Sequence, residues 1–98
     1  MEKEKLKEVF VRIQGHPAYS INPFGVVKNA NTERILKYEI TDRGYLRVKL
    51  NGEKHYVHKL VAITFLNNPR NKKYVIHKDG DRANNSYDNL MWSDSYYM

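Results

Sequence analysis

Apolar and polar residues alternate along much of this chain, with the period of two that is typical of half-buried β-strands. The clearest case is GYLRVKL, residues 44–50, which alternates strictly after its glycine. Asn51-Gly52 follows, and then EKHYVH, residues 53–58. Asn-Gly between two such runs indicates a hairpin, because both turn residues need a positive φ.

A two-residue turn also fixes which residues of the two strands face each other. The predicted pairs are Leu50 with Glu53, Lys49 with Lys54, Val48 with His55, Arg47 with Tyr56 and Leu46 with Val57. Opposed residues share a face of the sheet. One face is therefore apolar and turns to the core: Leu46, Val48, Leu50 and Val57. The outer face of the hairpin interleaves bases with aromatic rings: Tyr45, Arg47, Lys49, Lys54 and Tyr56.

The remaining pattern predicts short strands and one substantial helix. Residues 58–68 carry the wide apolar stripe of a helix packed on a sheet, which Asn67-Asn68-Pro69 ends. The other predicted elements are a helix running into a strand over 3–13, a strand, turn and strand over 19–29 with the turn at 22–25, and strands at 35–40, 73–77 and 89–92.

This order of elements predicts an α+β fold with a small N-terminal antiparallel sheet and one packed helix. Ninety-eight residues suit a single domain over 1–98, with a sheet module at 10–57 and a helix plus two strands at 58–93. The chain has no cysteine, which excludes disulfides and cysteine zinc sites and fits a reducing cytoplasm. No stretch is long and apolar enough to predict a membrane span.

The charge indicates a polyanionic partner. Seventeen Lys and Arg against eleven Asp and Glu give a net charge of +6, and nucleic acid is the commonest polyanion. Lys49 opposite Lys54 is destabilising unless something neutralises the pair, and a phosphate backbone would do so. A merely solvated outer face is the alternative interpretation. Lys59 and His58, at the predicted helix start, are further candidates for phosphate contact.

The polar stretch VIHKDGDRANNSYDNLMW, residues 75–92, concentrates the candidate chemistry. It does not fit a calcium loop, because counting from Asp79 the sixth residue is Asn84 and the twelfth is Leu90. A phosphate-binding loop needs several glycines, and only Gly80 is present. Ser86 in this stretch, and Ser93 and Ser95 after it, lack the sequence context of a catalytic nucleophile.

The run VHKLVAITFLNNPRNKKYVIHKDGDRANNSYDNLMW, residues 57–92, resembles the HNH endonucleases, specifically the phage- and intron-encoded homing branch. The resemblance rests on several blocks in the same order: the helix, an Asn-Pro turn, a strand ending in histidine, an Asp-Gly loop, a paired Asn-Asn and an Asn-Leu-x-Trp strand. The upstream segments YSINPFGVVKN and GYLRVKL are similar to the family's N-terminal module. Together these blocks cover roughly residues 10–93.

The resemblance implies a ββα-metal motif in which His77 is the general base that activates water against a DNA phosphate. Asn89 would correspond to the asparagine that orients this histidine. Asp79 and Gly80 would form the tight turn after the first strand, and Asn84 and Asn85 would close the loop through bonds to the backbone. The implied partner is double-stranded DNA in the cytoplasm of a host cell. The hairpin pattern and the helix start supply the candidate DNA contacts: Tyr45, Arg47, Lys49, Lys54, Tyr56 and Lys59.

Two features depart from the family pattern. The residue before the base is usually Asp or Asn and binds the metal, whereas Ile76 has no ligand atom. The second ligand lies on a helix after the last strand, where this sequence has only SDSYYM, residues 93–98, with room for one helical turn and with Asp94 as its oxygen-rich residue. No metal ligand is therefore assigned, and the expectation is a degenerate motif; Mg²⁺ or another divalent metal is expected if the protein is active.

Three functions stay open from the sequence. The first is an active HNH nickase that holds its metal through Asp79, Asp81 or Asp94. The second, favoured by the charge and the outer face, is a DNA-binding protein with weak or lost cleavage. The third is a small phage-encoded inhibitor that grips a host defence protein such as a nuclease, although no residue indicates a specific target.

Overall fold

The computed structural model describes residues 2–95. Its elements combine short strands with a single helix longer than two turns. In chain order they are α1 (Glu2–Leu6), β1 (Val11–Ile13), β2 (His16–Ile21), β3 (Val27–Asn29), β4 (Glu39–Ile40), β5 (Leu46–Leu50), β6 (Glu53–Tyr56), α2 (Val57–Phe65), β7 (Tyr74–His77), a 3-10 turn (Tyr87–Asn89) and β8 (Leu90–Ser93). The predicted α+β class is confirmed.

The first sheet is antiparallel and has the order β1-β2-β3. The turn predicted at residues 22–25 joins β2 to β3. The buried Asn22 stabilises it, because its Oδ1 accepts the backbone N–H groups of Phe24 and Val26 at 3.0 and 2.9 Å. This use of an asparagine side chain is ordinary turn chemistry.

The second sheet has the order β4-β5-β6 and contains the predicted hairpin. The predicted register from Arg47 with Tyr56 to Leu50 with Glu53 is confirmed. The fifth predicted pair is wrong, because Val57 leaves the strand and begins α2, although it is buried as expected. The strand predicted over 35–40 is confined to Glu39–Ile40, with one isolated bridge between Ile35 and Lys28.

Helix α2 is shorter than the predicted 58–68 and packs its apolar face on the sheets. Its last turn closes with the Leu66 N–H donating to the Ala62 carbonyl oxygen at 3.0 Å, ahead of the Asn-Asn-Pro segment. Buried residues from all three sheets and α2 form one apolar cluster: Ile13, Ile21, Val27, Leu46, Val48, Leu50, Val57, Leu60, Val61, Ala62, Val75 and Leu90.

The third sheet is the antiparallel pair β7–β8, and it lies against α2. Trp92 of β8 donates its indole N–H to the Leu66 carbonyl oxygen at 3.3 Å, which ties the sheet to the helix end. The helical turn expected within residues 93–98 falls largely on residues 96–98, outside the described part of the chain. No helix among residues 2–95 is long and apolar enough to span a bilayer.

Candidate functional site

Strand β7 carries His77 to the end of the third sheet, where the chain enters a polar loop. His77 is the last residue of β7 and pairs with Leu90, the first residue of β8. Gly80 donates its backbone N–H to the His77 carbonyl oxygen at 3.0 Å, at a φ of +78° that glycine adopts without steric cost. Residues 77–89, which return the chain to β8, are called the His77 loop below.

The Asp79 carboxylate is the centre of the hydrogen bonds that hold the His77 loop. Asn84 Nδ2 donates to Asp79 Oδ2 at 3.0 Å, and Asn89 Nδ2 donates to Asp79 Oδ1 at 2.9 Å. The Asp81 backbone N–H also donates to Oδ1, at 2.8 Å. These donors, the Asn84 amide first, lower the pKa of Asp79 below its usual 3.8, because they favour the charged form.

Asn89, predicted to orient the histidine, is instead bonded within the loop. Its Oδ1 accepts the Asp79 backbone N–H at 3.1 Å, and its Nδ2 also donates to the Asn84 carbonyl oxygen at 2.9 Å. The side chain is buried, so these bonds replace water for all of its polar atoms. The structure therefore places Asn89 as a brace of the loop rather than beside the imidazole.

Asn85 is the amide that contacts the candidate base. His77 Nε2 lies 2.8 Å from Asn85 Oδ1. An amide oxygen accepts hydrogen bonds, so this contact favours the tautomer with the proton on Nε2, in which Nδ1 has the lone pair that a general base requires. The sequence had assigned Asn85 to loop closure; the contact with the ring was missed, since adjacent asparagines give no signal of which one faces inward.

The turn between β2 and β3, residues 22–25, packs against Asn85. A Cβ built on Gly25 would lie 2.9 Å from Val57 Cγ1 and 3.3 Å from Asn85 Cβ, so only glycine leaves room for that asparagine. The Tyr87 N–H donates to the Pro23 carbonyl oxygen at 2.8 Å, and the rings of Phe24 and Tyr87 meet edge to face. The N-terminal sheet thus positions the C-terminal loop.

A cluster of rings joins His77 to the outer face of the hairpin. The His58 ring lies 4.9 Å from that of His77 and 5.2 Å from that of Tyr45, which stacks on it; Tyr56 is 5.4 Å from His58. His58 is 5% exposed, and this burial disfavours the phosphate contact predicted for it. Burial first, then the neighbouring His77 and Lys59, lowers the pKa of His58 to about 4. His58 is therefore neutral at neutral pH.

Arg82 extends the ring cluster from the His77 loop. Its guanidinium carbon lies 4.6 Å from the centroid of the Tyr45 ring, and its Nη1 donates to the Arg43 carbonyl oxygen at 2.7 Å. Two depressions share Tyr45 and Arg82 in their walls: one of about 420 Å³ reaches His77, and one of about 1010 Å³ runs along the hairpin. Arg82 was missed from the sequence, where nothing distinguished it from any exposed loop arginine.

The outer face of the hairpin carries its own counter-ion. Glu39 of β4 pairs with Arg47, and its Oε2 lies 3.1 Å from Lys54 Nζ. These bonds, that of Lys54 first, lower the pKa of Glu39. The neutralisation that was expected from phosphate is thus supplied in part by Glu39, whereas Lys49 and Lys59 stay exposed.

The described residues around His77 do not fit a divalent cation. Ile76 offers no ligand atom, and the Asp79 oxygens accept the loop amides. Asp81 Oδ1 accepts the Ala83 backbone N–H at 3.0 Å, and Asp94 lies at the exposed end of the described chain. Among residues 2–95, the single group of three His, Asp or Glu side chains close enough to share an ion is His16, Glu53 and His55.

Comparison with known proteins matches this site to a family. The family model of HNH endonucleases matches residues 55–95. An uncharacterized HNH endonuclease of Acanthamoeba polyphaga mimivirus is 40% identical over 90 residues, covering 84% of this chain and 22% of that protein. The DNA endonuclease I-HmuI of Bacillus phage SP01 is 36% identical over 83 residues, covering 81% of this chain and 47% of that protein.

The solved structure of I-HmuI, described for DNA binding and cleavage by this HNH homing endonuclease, superposes with a TM-score of 0.79 at 33% identity. The match covers 87% of this chain and 52% of that one. The chain thus spans between a fifth and about a half of the length of these relatives. By its sequence over residues 55–95 and by its fold over most of its length, this chain belongs to the HNH endonuclease family.

Proposed function

We propose that this chain is a double-stranded DNA-binding HNH module in which His77 faces the phosphate. Cleavage of DNA by the described residues is weak or lost. The observation that carries the proposal is the contact of His77 Nε2 with Asn85 Oδ1, which favours Nδ1 as the free base. His77 lines a depression that shares Tyr45 and Arg82 with the basic, aromatic groove along the hairpin. The family relationship and the described use of DNA by I-HmuI support DNA as the ligand.

The groove suits a nucleic-acid backbone for electrostatic reasons. Lys59 and Arg82 line the groove, with Arg82 over the Tyr45 ring, and Lys49 is a further exposed cation on the hairpin. Phosphate contacts from such residues release condensed counterions, which makes DNA affinity fall with salt. Tyr45 and Tyr56 offer a hydroxyl for phosphate or a ring face for sugar and base. Glu39 opposes DNA binding until Arg47 and Lys54 release its carboxylate and pair with phosphate instead.

Cleavage requires more than the base. A proton transfer from water to His77 Nδ1 contributes about 10²–10⁴-fold, whereas hydrolysis of phosphate esters needs accelerations at the upper end of the enzymatic range. A bound divalent cation supplies charge stabilisation at the phosphate and leaving oxygen. Ile76 provides no oxygen where the family has a ligand. We therefore expect DNA binding to be strong relative to DNA cutting.

Incubation with supercoiled plasmid and Mg²⁺ or Mn²⁺ tests this proposal. We expect salt-sensitive retention of the plasmid by the wild-type protein, with little nicking. Ile76→Asp restores the missing oxygen and is expected to raise nicking at least about tenfold, while the matched control Ile76→Leu does not. His77→Ala in the Ile76→Asp background is expected to abolish the gain, because Nδ1 is lost.

An active nickase is the second candidate, because the matched relatives are named endonucleases. It is supported by wild-type nicking that His77→Ala abolishes, and that result contradicts the loss of cleavage. Absence of DNA retention in low salt, together with capture of a host protein by the immobilised chain, contradicts the DNA-binding proposal and supports the inhibitor hypothesis instead.

A further inference from the structure

We propose that His16, Glu53 and His55 form a transition-metal site, separate from the His77 loop, that fastens the first sheet to the second. His16 is the first residue of β2, and Glu53 and His55 belong to β6. Alternate residues of a strand share a face. Glu53 and His55 therefore point away from the side of β6 that carries Tyr56, which is part of the ring cluster around His58 and His77.

The spacing of the three side chains is close to that of metal ligands. One ligand atom from each lies within 4.8 Å of the other two, and His55 Nε2 is 3.5 Å from Glu53 Oε1. Around a tetrahedral zinc ion with bonds of about 2.0–2.1 Å, neighbouring ligand atoms are about 3.4 Å apart. The pair on β6 already has this separation, and the third side chain needs a movement on the order of 1 Å.

The imidazoles have unused nitrogens where an ion would lie. His16 Nδ1 and His55 Nε2 are both shielded from solvent and have no hydrogen-bond partner among the described residues. Their rings meet edge to face with centroids 4.7 Å apart. Buried polar atoms without partners are costly. A protonated His55 paired with Glu53 does not account for them, because 3.5 Å is long for a hydrogen bond and His16 would stay unpartnered.

The donor set selects the class of metal. Two imidazoles and one carboxylate suit Zn²⁺ and neighbouring transition metals, whereas Mg²⁺ prefers oxygen ligands alone. Water completes the fourth position. The three ligands come from two sheets, and the Asn51 N–H of the hairpin turn also donates to the Tyr19 hydroxyl of β2 at 3.4 Å. An ion here binds only when the hairpin and the first sheet are docked, so it stabilises the folded chain.

Titration of the metal-free full chain with Zn²⁺, followed by calorimetry and thermal unfolding, tests the proposal. We expect one ion per chain and, at a free Zn²⁺ concentration 100 times the Kd, a rise in Tm on the order of 10 °C. Co²⁺ is expected to give the intense visible absorption of tetrahedral coordination. Mg²⁺ is expected to give neither signal.

Variants assign the binding to these residues. His16→Ala and Glu53→Gln are each expected to weaken Zn²⁺ affinity by more than about tenfold, since even residues that merely orient ligands cost 10–100-fold when lost. Glu53 is largely exposed, so its glutamine variant tests the site without disturbing the core. His77→Ala is the matched control and is expected to keep wild-type Zn²⁺ affinity. Absence of Zn²⁺ binding to the wild type, retention in both ligand variants, or loss in His77→Ala overturns the proposal.

Discussion

The His77 loop and the outer face of the hairpin lie side by side, yet they are held by different forces. The loop is fixed by hydrogen bonds in which Asp79 and Asn89 use all of their side-chain polar atoms, and Asn85 bonds to His77 through its Oδ1. The outer face is organised by Glu39, half exposed, between Arg47 and Lys54. Exposed ion pairs contribute little and are screened by salt. The His77 loop thus holds its side chains in a fixed geometry, whereas the ion pairs of the outer face can change partners.

That difference matches what each region is proposed to do. A general base needs one orientation and one tautomer, and the contact of His77 with Asn85 favours both. A surface for DNA needs cations that exchange partners readily, which the pairs with Glu39 allow. His58 lies between the two regions and is buried and neutral. As the pH falls, its protonation is expected to destabilise the fold before that of the carboxylates in either region.

Acidification is expected to cause the largest loss of stability. The pKa of His58 is lowered from 6.5 to about 4, so between these values the unfolded chain binds a proton that the folded chain excludes. The stability is present above about pH 6.5 and decreases by about 3 kcal/mol as the pH falls to 4. Thermal unfolding between pH 7 and 4 measures it. His58→Phe keeps a ring and does not titrate, so its stability is expected to depend less on pH between 7 and 4. If the slope of stability against pH is the same as in the wild type, His58 is not the group responsible.

The carboxyl groups act in a different range, which makes that test selective. Asp79 and Glu39 have lowered pKa values, so the stability they contribute is present above their unfolded values of 3.8 and 4.5 and is lost as the pH falls further. A decrease in the free energy of unfolding that begins above pH 5 therefore reports protonation of His58 rather than of the carboxylates in either region.

Gly25→Ala tests how the first sheet supports the loop. Its φ of +87° and the 2.9 Å approach to Val57 predict a loss of about 2–3 kcal/mol in the free energy of unfolding. Gly15→Ala is the matched control, because its φ is +82° with nothing within 4 Å, and about 1 kcal/mol is expected from strain alone. Urea denaturation of both variants measures the difference. Equal losses mean that close packing against Asn85 adds nothing.

Asn89→Ala tests the brace within the loop. It removes three hydrogen bonds from a buried position, and we expect a loss of about 1–2 kcal/mol. The exposed Asn67, just after α2, gives Asn67→Ala as a control with little expected change. Hydrogen exchange at the Asp79 amide is expected to accelerate in the first variant. If it does not, the loop is held by other bonds.

Glu39→Gln sharpens the description of the outer face and has the smallest expected effect. It frees Arg47 and Lys54 for phosphate, so DNA affinity is expected to rise about two- to tenfold at low salt, with a slope of log K against log salt steeper by about 1. The opposite change, Arg47→Ala, is expected to make the slope shallower by about 1. Filter binding across a salt series measures both. If neither variant changes the slope of log K against log salt, the outer face of the hairpin does not contact DNA.

Several features were predictable because they depend on neighbours in the chain. The Asn51-Gly52 turn fixed the register of β5 and β6, and the apolar stripe after Val57 predicted α2. The ends were less predictable: Val57 satisfies a strand pattern and a helix start equally well, and the tertiary contacts of α2 selected the helix. The run 35–40 divides between two sheets: Ile35 bridges to Lys28 of β3, and the Leu36 N–H donates to the Val27 carbonyl oxygen at 2.9 Å, whereas Glu39 and Ile40 pair with β5.

The sequence by itself determined the residue types of the site, the hairpin and its alternating faces, and the resemblance to HNH endonucleases, because local pattern and motif order are written in consecutive residues. Only the tertiary structure decided that Asn85 rather than Asn89 meets His77, that Gly25 makes room for Asn85, that Glu39 neutralises two cations, and that His16 meets His55. Those contacts join segments far apart in the chain, and they depend on how the sheets dock, which no local periodicity encodes.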